Sequence, residues 1–316
     1  MNIKQLMHSA LVASVLATCQ TAGATAYPSK FDYFMGITST ASIANFLYSR
    51  ATFASQIDNT WHRYSEIAPS SISLRAKVWV ESILRDKGVS ESLLQKIVYV
   101  EGVRGEISVW KGSESVYFEI PRSDAEFLNA TLEKDLETLP TDQLKVLNML
   151  TWICAREGVH LRKTQEWGFA AKRGDQHILT AVNGVISGVT YHVAREYNYG
   201  KLASYGIAAA VNLVPHLIFS KATEREEYQC DIQASEDIEI LKAGLNWLET
   251  IAGHKAISLL TPVFGSYEAA KEKYDSQSFI ATLLLGMPHP VQRAACLRAH
   301  IEKLENSCNE VLVVIA

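Results

Sequence analysis

The chain carries none of the short motifs that announce phosphate or acyl-transfer chemistry. It has no G-x-G-x-x-G, no G-x-x-x-x-G-K-[ST] and no G-x-S-x-G. Dinucleotide, P-loop and nucleophile-elbow chemistry therefore have no sequence support. No long basic run is present, and the formal net charge is -4. That balance excludes nucleic acid as the expected partner. Cysteine is scarce, 5 in 316 residues, which excludes a disulfide-dense miniature scaffold. Internal repeats and low-complexity segments are missing too. The long apolar stretch 202–219 is interrupted by Asn212, Pro215 and His216. It reads as a buried helix, with membrane association the weaker alternative.

What remains is an ordinary globular composition, 48% hydrophobic and 20% charged, long enough for one large domain or two small ones. The first residues differ from the rest. Lys4 and His8 precede an apolar run from Ala10 to Ala17, and Ala24-Thr25-Ala26 offers a small-x-small cleavage site. Residues 1–26 read as a secretory signal peptide, which implies export to a periplasm. Leu16-Ala17-Thr18-Cys19 offers a lipoprotein alternative, but Thr18 is a poor residue beside a lipidated cysteine. Export leaves Cys154, Cys230, Cys296 and Cys308. Cys296 and Cys308 are one conceivable disulfide; four buried thiols are the other reading.

Periodicity predicts an α+β, mainly α-helical chain. An N-terminal helical segment covers 27–74, and a main domain covers 75–308. Helices are expected over Ile72–Leu84, Ser90–Val98, from Ser123 with a capping start, and from Pro140 with Thr141 as cap. Gly105–Trp110 and Ser115–Ile120 alternate around Lys111-Gly112-Ser113-Glu114, which predicts a small antiparallel β-hairpin. Arg162–Asp175 reads as a loop, Ala222–Thr250 as one charged helix and Val311–Ile315 as a terminal strand.

The most informative stretch is Arg156-Glu157-Gly158-Val159-His160, one residue short of H-E-x-x-H. On a helix, positions i and i+4 share a face, so two histidines there can grip one zinc while the glutamate activates its water. Glu227-Tyr228-Gln229-Cys230-Asp231 follows on a charged helix, after Ser220-Lys221. Later come His289-Pro290 and Arg293. Leu139-Pro140-Thr141-Asp142-Gln143-Leu144 leads into the first motif. In this order the pieces resemble the zinc metallopeptidases of the HtpX and CAAX prenyl endopeptidase type, gluzincins with periplasmic relatives. The resemblance spans roughly residues 75–305. It implies a gluzincin-type metallopeptidase domain acting on polypeptide. It further implies His160 and Glu227 as metal ligands, Glu157 as general base, and Asp231 behind the ligands, steadying His160 or its neighbours. His289 and Arg293 would lie near the cleft as catalytic residues that assist the charged intermediate.

Arg156 stands where that family places its first histidine ligand. A guanidinium has donors only and stays protonated. At about 4 Å it repels a cation by on the order of 4 kcal/mol per unit charge at an effective dielectric of about 20. Sequence therefore predicts an Arg156–Glu227 ion pair in place of zinc, and a peptide- or partner-binding pseudo-protease. The alternative is a working zinc peptidase that recruits His192, His216 or His289 as a substitute ligand. The pair His192 and Glu196 could itself hold a metal, although an ordinary helix-face pair is the simpler reading. His177 carries little information.

Overall fold

The protein is described from a computed structural model covering residues 55–102, 105–167, 186–277 and 289–315. Along 164–167, 209, 212–223 and 308–315 it describes the backbone course alone. The expected signal peptide, most of the 27–74 segment and His177 lie outside these residues. Among the described residues, no helix is long and apolar enough to cross a membrane.

In chain order the elements are α1 (55–67), α2 (Leu74–Asp86), α3 (Glu91–Leu94), β1 (Ile97–Glu101), β2 (Ser108–Lys111), β3 (Val116–Ile120), α4 (Arg122–Leu132), α5 (Thr141–Trp167), α6 (186–196), α7 (Lys201–Gln233), α8 (Ile238–Trp247), α9 (Gly253–Phe264), α10 (Tyr267–Asp275) and α11 (Pro290–Ile315). A π-helical turn, Leu248–Ala252, joins α8 to α9. Among the described residues the chain is thus mainly helical with one small three-stranded sheet, an α+β arrangement. It divides into two compact units, one from residues 1–56 with 170–222 and one from 57–169 with 223–316. In the first unit Tyr191 and Ala208 bury against each other. The second unit holds the main core, the stretch 156–160, Glu227–Asp231, His289-Pro290 and Arg293.

The expected hairpin is present as β2 and β3, paired antiparallel with Val109 opposite Phe118. The structure adds β1, which pairs parallel with β3 and makes β3 the central strand. Sequence had placed Ile97 and Val98 at the end of a helix. They follow the single turn of α3 into an apolar run without alternation, and their partner lies beyond an intervening strand. All five residues of β3 are buried. Val116, Phe118 and Ile120 enter the main core. Tyr117 lies on the other face, under the Trp61 ring of α1 at 6.3 Å.

Other expectations also change. Thr141 begins α5 rather than capping it, since Leu144 N donates to the Pro140 carbonyl. Helix α4 starts at Arg122 behind Pro121, with no side-chain cap. The expected loop from Arg162 is helical through Trp167. The expected 222–250 helix breaks after Gln233. There the Asp237 side chain accepts from the Glu239 and Ile240 backbones and opens α8; acceptance by an N-cap carboxylate restarts a helix at that point. Val311–Ile315 ends helix α11 instead of forming a strand. Cys296 and Cys308 are thus twelve residues apart on one helix, roughly 18 Å at 1.5 Å per residue, too far for a disulfide. Cys154, Cys230 and Cys296 are free thiols.

Helix α5 is the spine of the second unit. It packs on α2, α4, α8 and the sheet through β2. Two glycines allow these close approaches. At Gly158 a Cβ would lie 3.1 Å from Leu84 of α2, so the middle of the motif is also the α2 crossing. At Gly244 of α8 a Cβ would sit within 2.3–2.6 Å of the buried Trp152 ring. Trp152 also lies 5.8 Å from Trp247 and donates its indole N–H to the Asp231 carbonyl at 3.2 Å.

Gly244→Ala must push the indole aside. Overpacking of this kind costs about 1–3 kcal/mol, against a helix-propensity gain of about 1 kcal/mol. The expected outcome is a lower urea midpoint. An unchanged or raised midpoint would show that Trp152 has room to move.

Candidate functional site

Helices α5, α7 and α11 bring Arg156, Glu157, His160, Glu227, Asp231 and Arg293 together. The helical spacing explains why. Arg156 and His160 lie one turn apart on α5, as do Glu227 and Asp231 on α7, so each pair shares a face. Arg293 comes from the first turn of α11.

The expected Arg156–Glu227 ion pair is present, with Nη2 donating to Oε2. Two further carboxylates complete the ring. Arg156 Nη1 donates to Glu157 Oε1 at 2.7 Å, and Nε donates to Asp231 Oδ1 at 2.9 Å. Arg293 closes the far side, Nε to Asp231 Oδ2 at 2.8 Å and Nη2 to Oδ1 at 2.6 Å. Asp231 therefore grips two guanidiniums, and one of them, Arg156, is the neighbour of His160 one turn earlier on α5. These charges are out of water: relative exposure is 5% for Arg156 and Glu157, 3% for Arg293, 2% for Glu227 and 1% for Asp231. Burial works against charge on Arg156, but Glu227, Glu157 and Asp231 outweigh it and hold the guanidinium protonated.

His160 faces two ways. Its Nε2 lies 3.6 Å from Glu227 Oε1. Its Nδ1 lies 3.5 Å from Cys230 Sγ and 4.0 Å from Glu226 Oε1. Burial disfavours its proton, but Cys230 and Glu227 prevail and raise its pKa to about 9. At neutral pH the imidazolium joins the two guanidiniums. Three cations then face the three carboxylates Glu157, Glu227 and Asp231, so the buried charges balance.

His289 does not join this ring. It is buried, its imidazole lies 4.4 Å from the Tyr274 ring, and its Nδ1 accepts from Val291 N at 3.4 Å. Burial lowers its pKa, with the Asp275 charge acting in the opposite sense. His192 belongs to the first compact unit, beside the Tyr191 ring, and the His216 side chain is outside the described set. A zinc at the place the resemblance implies does not fit these residues. Arg156 fills it, and Glu157, expected as the base, accepts a hydrogen bond from the guanidinium.

Sequence reasoning passed over two donors. Glu226 and Cys230 share a face of α7 by the same i, i+4 rule, and with His160 they form a group able to hold a metal ion. The ligand atoms lie within 4.8 Å of one another. The spacing was readable, but Cys230 looked like a small buried hydrophobe and Glu226 like one charge among several.

No protein-family model, curated protein or solved structure matches the chain.

Two outcomes follow from the buried charges. Asp231→Asn leaves both guanidiniums short of a charged acceptor. Breaking a buried pair costs about 3–5 kcal/mol, so urea unfolding should show a loss of that order, and a loss below about 1 kcal/mol would mean water reaches the ring. For His160 the folded pKa lies above the unfolded value. Its proton stabilises the fold fully below about pH 6.5, and that stabilisation fades as pH rises toward 9. With a chelator present, stability should fall across that window by on the order of 3 kcal/mol. His160→Gln should flatten the curve.

Proposed function

We propose that this chain is an exported, peptidase-like protein whose metal centre has become a salt-bridge centre. It binds polypeptide segments or a partner protein and does not cleave them. The observation that carries the reading is the Arg156 guanidinium, held at once by Glu157, Glu227 and Asp231. A peptidase of the resembled type needs a water-bearing metal at that position and a free glutamate to deprotonate the water. A permanent cation with donors alone supplies neither.

Three sequence-distant motifs support the resemblance by meeting in one buried ring: the pentapeptide on α5, Glu227 and Asp231 on α7, and Arg293 on α11. The sheet supports the binding half of the proposal. Strand β2 packs against α5, and it is an edge strand among the described residues. An edge of that kind offers backbone donors and acceptors to an extended peptide. The signal-like residues 1–26 support export to a periplasm.

The test uses fluorescently labelled unfolded casein with added zinc. Wild type is expected to raise the anisotropy of the label and to leave casein intact on gels. Zinc-dependent cleavage by wild type, abolished in Glu157→Gln, would overturn the non-catalytic half. Lack of any anisotropy change would overturn the binding half.

A further inference from the structure

The filled centre uses one side of the His160 imidazole. The other side points at an arrangement with different chemistry. We infer that His160 Nδ1, Cys230 Sγ and Glu226 form a three-ligand site for a divalent ion of the zinc class, displaced around the imidazole from the salt-bridge centre.

Geometry carries the inference first. A tetrahedral zinc holds a thiolate at about 2.3 Å and an imidazole nitrogen at about 2.0–2.1 Å, which sets those two atoms roughly 3.5 Å apart. Cys230 Sγ and His160 Nδ1 are 3.5 Å apart. The same construction puts a nitrogen and a carboxylate oxygen roughly 3.4 Å apart. Glu226 Oε1 stands 4.0 Å from His160 Nδ1, and its partly exposed side chain is free to close the difference. Both α7 donors lie on one face, a turn apart, so the helix presents them together.

The surroundings carry it second. A metal-bound histidine characteristically donates its other ring N–H to a carboxylate, which fixes the tautomer and the ring plane. Glu227 Oε1 stands 3.6 Å from His160 Nε2, on the opposite side of the ring from Cys230. Glu227 is itself anchored by Arg156. The guanidinium that excludes metal from the old position therefore orients the carboxylate that would support metal at the new one. One neutral nitrogen, one thiolate and one carboxylate neutralise a divalent ion, and this mixed set favours borderline zinc over magnesium or calcium.

Lys163 is the competing cation. Its Nζ lies 3.5 Å from Cys230 Sγ. Its flexible stem lets the ammonium leave when the metal arrives. Binding exchanges the thiol and imidazolium protons for the ion, and both protons go to solvent.

The test is a titration of the chelator-stripped full chain with cobalt(II), followed by zinc competition. Wild type should take up one equivalent and develop a thiolate-to-cobalt charge-transfer band that zinc abolishes. Cys230→Ser should lose the band, and Glu226→Gln should weaken binding while retaining it. Far-ultraviolet circular dichroism keeps the variants interpretable if folding changes. A wild-type titration without the band, or a band that survives Cys230→Ser, overturns the site. Either result leaves the non-catalytic reading untouched, whereas casein cleavage would defeat that reading without altering the band.

Discussion

A guanidinium buried among three carboxylates organises this protein. An ion taken from water carries a desolvation cost that only close, well-directed partners offset. Arg156 meets that demand with Glu157 on its own helix and with Glu227 and Asp231 on α7. Arg293 then answers the surplus negative charge from α11. The registers of three helices are tied together by these contacts. A slide of one turn would strand a charge. Trp152 reinforces the same alignment from one turn earlier, since its indole N–H reaches the Asp231 carbonyl. Apolar packing and charge pairing thus fix the same pair of helices.

The ring also sets the different surroundings of Glu157 and His160. Glu157 already accepts a hydrogen bond from a permanent cation. His160 touches the edge of the ring with one nitrogen and a cysteine–glutamate pair with the other. On the side of the first nitrogen the Arg156 guanidinium opposes a divalent ion by like charge. At the second nitrogen the nearby groups are a soft donor and an acid, with Lys163 beside the thiol. The two nitrogens of one five-membered ring thus face a cation on one side and a group able to hold a metal ion on the other.

The fold was legible in the sequence wherever the signal was local. Alternation around Gly112 revealed the β2–β3 hairpin, and apolar spacing revealed α2 and the body of α5. The failures were non-local. β1 pairs with a strand that follows another strand, and its Ile97-Val98-Tyr99-Val100 run does not alternate. Helix α7 joins an apolar segment to a charged one, so composition suggested two elements where the backbone hydrogen bonds continue through Lys201–Gln233. The Asp237 cap that ends the supposed long helix was hidden inside a run of acidic residues. At the site, the Arg156–Glu227 pair was readable, because a fixed cation at a ligand position needs an anion. Asp231 as the hinge between two guanidiniums was not, and neither was the placement of His289 against Tyr274.

Sequence alone determined the residue types and their helical spacing: Arg156 with His160, Glu227 with Asp231, Glu226 with Cys230. Those facts dictate which side chains share a face, because a helix repeats every 3.6 residues. Only the tertiary structure decided which faces meet and which nitrogen of His160 each neighbour approaches. That choice depends on how α5, α7 and α11 cross, and long-range contacts such as the Trp152 indole N–H on the Asp231 carbonyl, which no local pattern encodes, hold α5 and α7 in register.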